Sequence, residues 1–160
     1  MDYLWTPWRY QYITTADLPA ECVFCAAAAG PDDRETFIVH RAQYNFIILN
    51  RFPYTNGHVM IVPYGHLASL AELTEECAVE MTLLARQTEV HLRTIYHPDG
   101  MNLGMNLGKS AGAGIAGHLH LHVLPRWTGD TNFMTVTAET RVLPEALEDT
   151  WRRLREAFAG

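Results

Sequence analysis

Three histidines at strictly alternate positions, His118, His120 and His122, sit inside the stretch AGHLHLHVLPRW. A period of two is the pattern of a β-strand, whose successive side chains point to opposite faces. The spacing predicts a strand over HLHLHVLP that turns Leu119, Leu121 and Val123 into a core and lines its other face with three imidazoles. A plain solvent face would carry Lys, Thr or Glu there. Chance exposure, a purely metal-binding face and a phosphate-handling face are the three readings of such a row.

The loop before the strand favours the third. Gly108, Gly112, Gly114 and Gly117 are separated mainly by small residues, with Lys109 and Ser110 among them. Glycines permit backbone conformations in which N–H groups converge on an anion, and short side chains let a bulky phosphate approach. The spacing fits neither a dinucleotide-binding fingerprint nor a P-loop, because GKS here lacks the upstream GxxxxGK frame.

Imidazole is neutral and nucleophilic near neutral pH, and its proton state is readily biased by neighbours. At a phosphate, His120 has a neighbour on either side and is placed for in-line attack on phosphorus, giving a phosphoramidate. His122 is placed to hold phosphoryl oxygens or to pass a proton to the leaving group.

The surrounding elements point to an α+β fold, an antiparallel β-sheet with one long helix and a C-terminal helix. TFIVHRAQYNFIILN predicts strands over Phe37–His40 and Tyr44–Leu49, and Asn56-Gly57 signals a hairpin whose returning strand runs His58–Val62, stopped by Pro63. From Thr74 as N-cap, Cys77, Met81, Leu84, Thr88, His91 and Ile95 recur three or four apart, which marks the long helix. GMNLGMNL alternates as a further strand, a short strand is expected near Phe133–Val136, and Leu143–Phe158 reads as a terminal helix.

With 160 residues, 48% of them hydrophobic, the chain can build one sizeable core. The expected organisation is an aromatic arm over 1–20, a core domain over 21–136 and a helical extension over 137–160 packing on that domain. The formal charge of -6 argues against a polymeric nucleic-acid partner. No stretch of roughly 20 apolar residues exists to cross a bilayer, and the start MDYLWTPWRY lacks the features of a secretory signal, so no membrane partner and a cytoplasmic location are expected. Trp5, Trp8 and Trp127 could stack a base, and aromatics in an arm serve equally as intersubunit anchors.

The run His118-Leu119-His120-Leu121-His122-Val123-Leu124 resembles the motif of the histidine-triad (HIT) superfamily, with further matches in NRFPYTNGHVMIVPYGH and NLGKSAGAG. Within it, LWTPWR and GHLHLHVLPRWTGDTNF are most similar to the bacterial diadenosine tetraphosphate phosphorylase group. The resemblance implies a HIT-like fold, a dimer or higher homo-oligomer, and a small-molecule nucleotide substrate. It implies His120 as the residue that becomes nucleotidylated and His122 as the contact to phosphate and leaving group. His118 would orient its neighbours or bind metal. Asn50 falls where the family holds ribose hydroxyls; Asn106, Gly108, Lys109, Ser110, Gly112 and Gly114 fall where it holds phosphate. The nucleoside would lie against a wall near Phe46 and Ile48. Many family hydrolases carry glutamine followed by serine or threonine before the triad, whereas this chain has Ala113-Gly114-Ile115-Ala116-Gly117, one residue longer. The phosphate grip would therefore rest on backbone donors, with Ser110 or Lys109.

Cys22 and Cys25, in CVFC, have the spacing of half a zinc site; a redox pair and simple burial are the other readings. With no second CxxC, imidazoles must complete a site, and His66 and His118 match the residues that do so in zinc-bearing relatives. A closed structural zinc site of that kind would leave no open position for substrate. Remaining histidines read as secondary: His91 on a helix face, His97 at a helix C-terminus, His40 structural, His58 at a pocket edge.

The leading expectation, with the acceptor taken from the resemblance, is cleavage of diadenosine tetraphosphate by inorganic phosphate through nucleotidyl-His120 to give ADP and ATP, with a divalent cation available to shield the polyphosphate. Alternatives are a hydrolase of dinucleoside polyphosphates or nucleoside phosphoramidates and, from another class, a non-catalytic, zinc-stabilised nucleotide-binding module.

Overall fold

The computed structural model describes residues 21–130 and 145–160. The arm over 1–20, the strand expected near Phe133–Val136 and the first residues of the expected terminal helix lie outside them. In chain order the elements are α1 (Val23–Ala29), α2 (Asp33–Thr36), β1 (Ile38–Arg41), β2 (Asn45–Leu49), β3 (Val59–Pro63), α3 (Glu75–Tyr96), β4 (Gly100–Gly104), β5 (Leu121–Arg126) and α4 (Leu147–Ala159). The strands form one antiparallel sheet in the order β1-β2-β3-β5-β4, so the α+β architecture read from the sequence is the one observed.

Every residue of β2 and β3 is buried, because both faces of the sheet are covered. On one face Ile47, Leu49, Val59, Ile61, Leu119 and Val123 pack with Met81, Leu84 and Leu92 of α3 and Leu154 of α4. On the other, Phe46, Ile48, Met60 and Val62 pack with Ile38 and Phe24 of α1. The histidine row lies on this second face.

The long helix is bounded as its sequence predicts. Thr74 Oγ1 accepts the Cys77 N–H at its start, and His97 closes it in the left-handed conformation, φ 47°. α4 is tied down by side chains that reach backbone carbonyls: Trp151 Nε1–H donates to Ile38, Arg155 to Val39 and Arg153 to Ile95.

Several boundaries differ from expectation. Phe37 adopts φ 61° as the C-cap of α2, a short helix started by the Asp32 side chain, so β1 begins at Ile38. β3 runs one residue later than expected, to Pro63. The alternation of GMNLGMNL continues as strand only through Gly104, opposite His122, where the β5 partner ladder is near its end. β5 itself begins at Leu121, so His118 and His120 precede the ladder, although their alternation with Leu119 is kept. Pro63 has no N–H with which to extend the β3 pairing, and Leu119 N–H donates instead to the Leu67 carbonyl. Among the described residues the terminal helix runs Leu147–Ala159, with Ala146 as its N-cap.

Candidate functional site

Each histidine of the row is oriented by a different partner. His120 is 5% exposed, and its Nδ1 lies 2.8 Å from the backbone oxygen of His118. A carbonyl only accepts, so Nδ1 carries the proton and Nε2 carries the lone pair. Burial lowers the His120 pKa, opposed by that carbonyl. The ring is therefore neutral near pH 7, with a nucleophilic Nε2.

His122 is fixed through a residue that the sequence marked only as a pocket edge. Tyr54 N–H donates to His58 Nδ1 at 3.1 Å, which leaves the His58 proton on Nε2, 2.9 Å from His122 Nδ1. His122 accepts there and bears its own proton on Nε2. Burial, assisted by His120, pushes the His122 pKa down to about 4. His58 itself is 1% exposed, deeper than an edge residue, and the Asn50 amide stands 3.5 Å from its Nδ1. Asn50 also accepts the Phe52 N–H on its Oδ1 and so braces the loop after β2.

His118 points elsewhere. Its Nε2–H donates to the Pro63 carbonyl at 2.9 Å, leaving the Nδ1 lone pair 3.3 Å from Cys22 Sγ and 3.6 Å from Cys25 Sγ. His66 Nδ1 lies 3.4 Å from Cys25 Sγ. All four ligand atoms fall within 4.8 Å of one another. Zn–S near 2.3 Å and Zn–N near 2.0 Å at a tetrahedral angle give an S···N edge of about 3.5 Å, so the four residues fit one tetrahedral ion. Burial raises the Cys25 thiol pKa first, followed by its neighbour Cys22, which is the repulsion a cation would relieve. Phe24, between the two cysteines, sets its ring 5.4 Å from that of His118 and 5.1 Å from that of His120.

The glycine loop is turned partly upon itself. Gly108 (φ 83°) and Gly112 (φ 87°) bracket a single turn, Lys109–Ala111, and the carbonyls of Gly108 and Lys109 take the N–H groups of Ala111, Gly112 and Ala113. The amide of Gly112 is thus spent within the loop. Gly108, Lys109 and Ser110 are exposed, and Asn106 and Gly114 are half-buried. Phe46 is wholly buried and Ile48 is 6% exposed, both within the apolar cluster around Phe24. The expected nucleoside wall offers almost no surface in this conformation, because α1 and Ile115 already cover it. Trp127 lies at the end of β5, 6.4 Å from the Tyr96 ring, and is not part of the histidine row.

Sequence reasoning missed the Pro63 carbonyl, Phe24, Tyr54 and the linking role of His58. Only His58 carried a usable signal, as a polar residue opening an otherwise apolar strand run.

The HIT domain family model matches residues 32–129. An AP-4-A phosphorylase of Mycobacterium tuberculosis (strain ATCC 25618 / H37Rv) is 37% identical over 163 residues, which cover 98% of this chain and 84% of that protein. A Zn-bound histidine triad family protein from Mycobacterium smegmatis superposes with TM-score 0.68 at 30% identity, over 87% of this chain and 94% of that one. A hypothetical histidine triad nucleotide-binding protein from Sulfolobus tokodaii strain7 superposes with TM-score 0.68 at 26% identity, over 86% and 92%.

Proposed function

The chain belongs to the HIT domain family, and from that premise we propose that it is a nucleotide phosphorylase, cleaving diadenosine 5',5'''-P1,P4-tetraphosphate with inorganic phosphate to ADP and ATP. The carrying observation is the His118 carbonyl on His120 Nδ1–H, which leaves Nε2 unprotonated and aimed away from its own backbone. The likeness to a protein named AP-4-A phosphorylase over nearly the whole chain supports the substrate and the acceptor.

His120 Nε2 attacks the α-phosphorus of one adenosine. A P–N bond forms, the bridging P–O bond to the β-phosphate breaks, and ATP departs. The imidazole ring becomes cationic, and its Nδ1–H bond to the His118 carbonyl strengthens as it does so. His122 Nε2–H, oriented by His58, donates to a phosphoryl or leaving oxygen. An oxygen of inorganic phosphate then attacks the same phosphorus, the P–N bond breaks, and ADP leaves with neutral His120 restored. Asn50 would meet the ribose, and Asn106, Gly108, Lys109, Ser110 and Gly114 would border the phosphates.

Cys22, Cys25, His66 and His118 would hold a structural zinc ion. With four protein ligands the ion would have no open position, so its contribution would be to stability and to the placement of His118.

The test is to incubate the protein with diadenosine tetraphosphate, with and without phosphate, and to resolve ADP from AMP. ADP and ATP formed only with phosphate support the phosphorylase; AMP and ATP in both cases make it a hydrolase. Absence of turnover removes the enzymatic reading of this substrate.

A further inference from the structure

Two histidines that the chemistry above leaves aside meet at one ring. His40 of β1 stacks on Phe158, in the last turn of α4, with ring centres 5.1 Å apart and planes at 25°. His91 of α3 meets the same ring edge to face, at 4.5 Å and 61°. Strict alternation along β1 would turn His40 to the face of Ile38, but the pairing register shifts between those two residues, and His40 faces α4 instead.

A positive charge on either imidazole would be poorly placed. His91 Nε2 is buried without a hydrogen-bond partner, as is the Thr88 hydroxyl one turn earlier on α3, so a proton there finds no acceptor within reach. The charged groups that bear on His40 are Arg155 of α4 and Glu80 of α3. Arg155, which donates to the Val39 carbonyl and lies 3.5 Å from Asp33 of α2, opposes a second cation. Glu80 favours one, but its carboxylate already takes the N–H groups of Gln43, Tyr44 and Asn45. Burial first, then Arg155, holds the His40 pKa below 6.5 against Glu80, with His91 adding to the effect; burial alone lowers that of His91. One imidazolium is attracted to an aromatic face, but two would flank a single ring here, and like charges repel.

The rest of α4 is held independently of this contact. Leu154 is fully buried, Trp151 Nε1–H donates to the Ile38 carbonyl, and Thr150 and Arg153 donate to the Glu145 carboxylate. Among the described residues, Arg155 and the Phe158 ring tie the last turn to β1, the outer strand of the sheet.

We propose that His40, Phe158 and His91 form an acid-released latch: protonation of the two imidazoles lets the last turn of α4 leave β1 while the rest of the sheet stays folded. Release puts both imidazoles in water, where they bind protons as ordinary histidines do, so docking is complete above pH 6.5 and weakens as pH falls below it. Hydrogen exchange read by mass spectrometry at pH 7 and pH 5, corrected for intrinsic rates, tests this. Relative to the amides of β2 and β3, those of residues 155–159 should lose about ten-fold in protection at pH 5. A protein carrying both His40→Phe and His91→Leu should keep its pH 7 protection at pH 5, and Phe158→Ala should show low protection at both. An unchanged ratio in the wild type, or the same fall in the double variant, overturns the latch. If the double variant does not fold, the wild type is read by NMR: contacts between the Phe158 ring and the two imidazoles should vanish over the pH range in which His40 and His91 titrate. Contacts that persist once both are protonated overturn it.

Discussion

The backbone carbonyl of His118 accepts the Nδ1–H of His120 at 2.8 Å, while the imidazole of the same His118 turns its Nδ1 to Cys22 Sγ, 3.3 Å away. One residue thus joins the Cys2His2 cluster to the proposed nucleophile, with its side chain on one and its carbonyl on the other. The role expected for His118 from the triad divides accordingly: the ring belongs to the cluster, and the carbonyl touches the His120 imidazole.

Replacing Cys22 with Ala should therefore act first on stability. The variant removes one of four ligand atoms that lie within 4.8 Å of one another, and the expected cost is on the order of 3 kcal/mol. Zinc content measured by elemental analysis should fall from about one per chain toward zero, with a lower thermal midpoint. A Cys22→Ala protein with undiminished zinc would remove Cys22 from the ligand set.

His120→Asn should behave oppositely. It leaves the cluster intact, so zinc content and thermal midpoint should stay near wild type, but it removes the Nε2 lone pair that the His118 carbonyl, by accepting Nδ1–H, leaves available on His120. Turnover should fall by a factor of roughly 10³ or more. Nucleotide transfer to the protein, followed with substrate labelled at the α-phosphate, should be detectable in the wild type and lost in this variant. Persistence of the label would place the covalent step elsewhere.

His58→Phe tests the link to His122. The substitution keeps a ring for Tyr54 to lie against but removes the Nε2–H that fixes His122 Nδ1 at 2.9 Å. His122 would then be free to take the other tautomer and present an acceptor where a donor is required. Loss of a group that orients a reacting histidine predicts a fall in kcat of about 10–100-fold, with KM little changed. A shift confined to KM would mean that His58 supports binding alone.

Much of this arrangement could be read from residue order, because alternation is a local property. Leu119 and Val123 reach the core and the histidines the opposite face, as period two requires. The Thr74 cap, the α3 stripe and the Pro63 stop were equally local. What could not be read depends on register. That His58 meets His122 follows from the pairing of Val59 with Val123 and of Met60 with His122, which no run of residues reveals. The start of β5 at Leu121 likewise reflects a missing donor on the neighbouring strand, not any feature of HLHLHVLP. Phe24 reads as a spacer in CVFC, yet its ring meets two histidines that follow it by more than ninety residues. Phe46 and Ile48 make the same point for the apolar strand: their cover by Phe24 of α1 depends on packing that the strand's own residues do not reveal.

Acid should destabilise the protein through His122. Its pKa in the folded state is held at about 4, below the 6.5 of an ordinary histidine, by burial first and by His120 second. Between those two values the unfolded chain binds the extra proton, so stability rises with pH across the window. This contribution is complete above pH 6.5 and is lost as pH falls toward 4. Urea midpoints measured from pH 7 to pH 4 should decline, and His122→Gln, which has no such proton to bind, should flatten the decline. An identical slope in the variant would assign the acid sensitivity to other groups.

Far from the site, Glu80 should prove one of the costlier polar side chains to alter. Burial works against its charge, but its carboxylate accepts the backbone N–H groups of Gln43, Tyr44 and Asn45 and the Asn45 side-chain amide, at 2.8 to 3.0 Å, and these hold its pKa below the usual carboxylate range. One α3 side chain thus takes three consecutive backbone N–H groups of the turn between β1 and β2, while the Ala42 N–H donates to the Asn45 carbonyl. Glu80→Gln keeps the shape but loses the charge and turns an NH2 group toward some of those donors. The expected loss is about 2 kcal/mol of unfolding free energy, read as a lower urea midpoint. Turnover at temperatures where the variant is folded should match wild type, because the turn lies at the β1–β2 end of the sheet. A variant as stable as wild type would mean that water replaces the carboxylate at this turn.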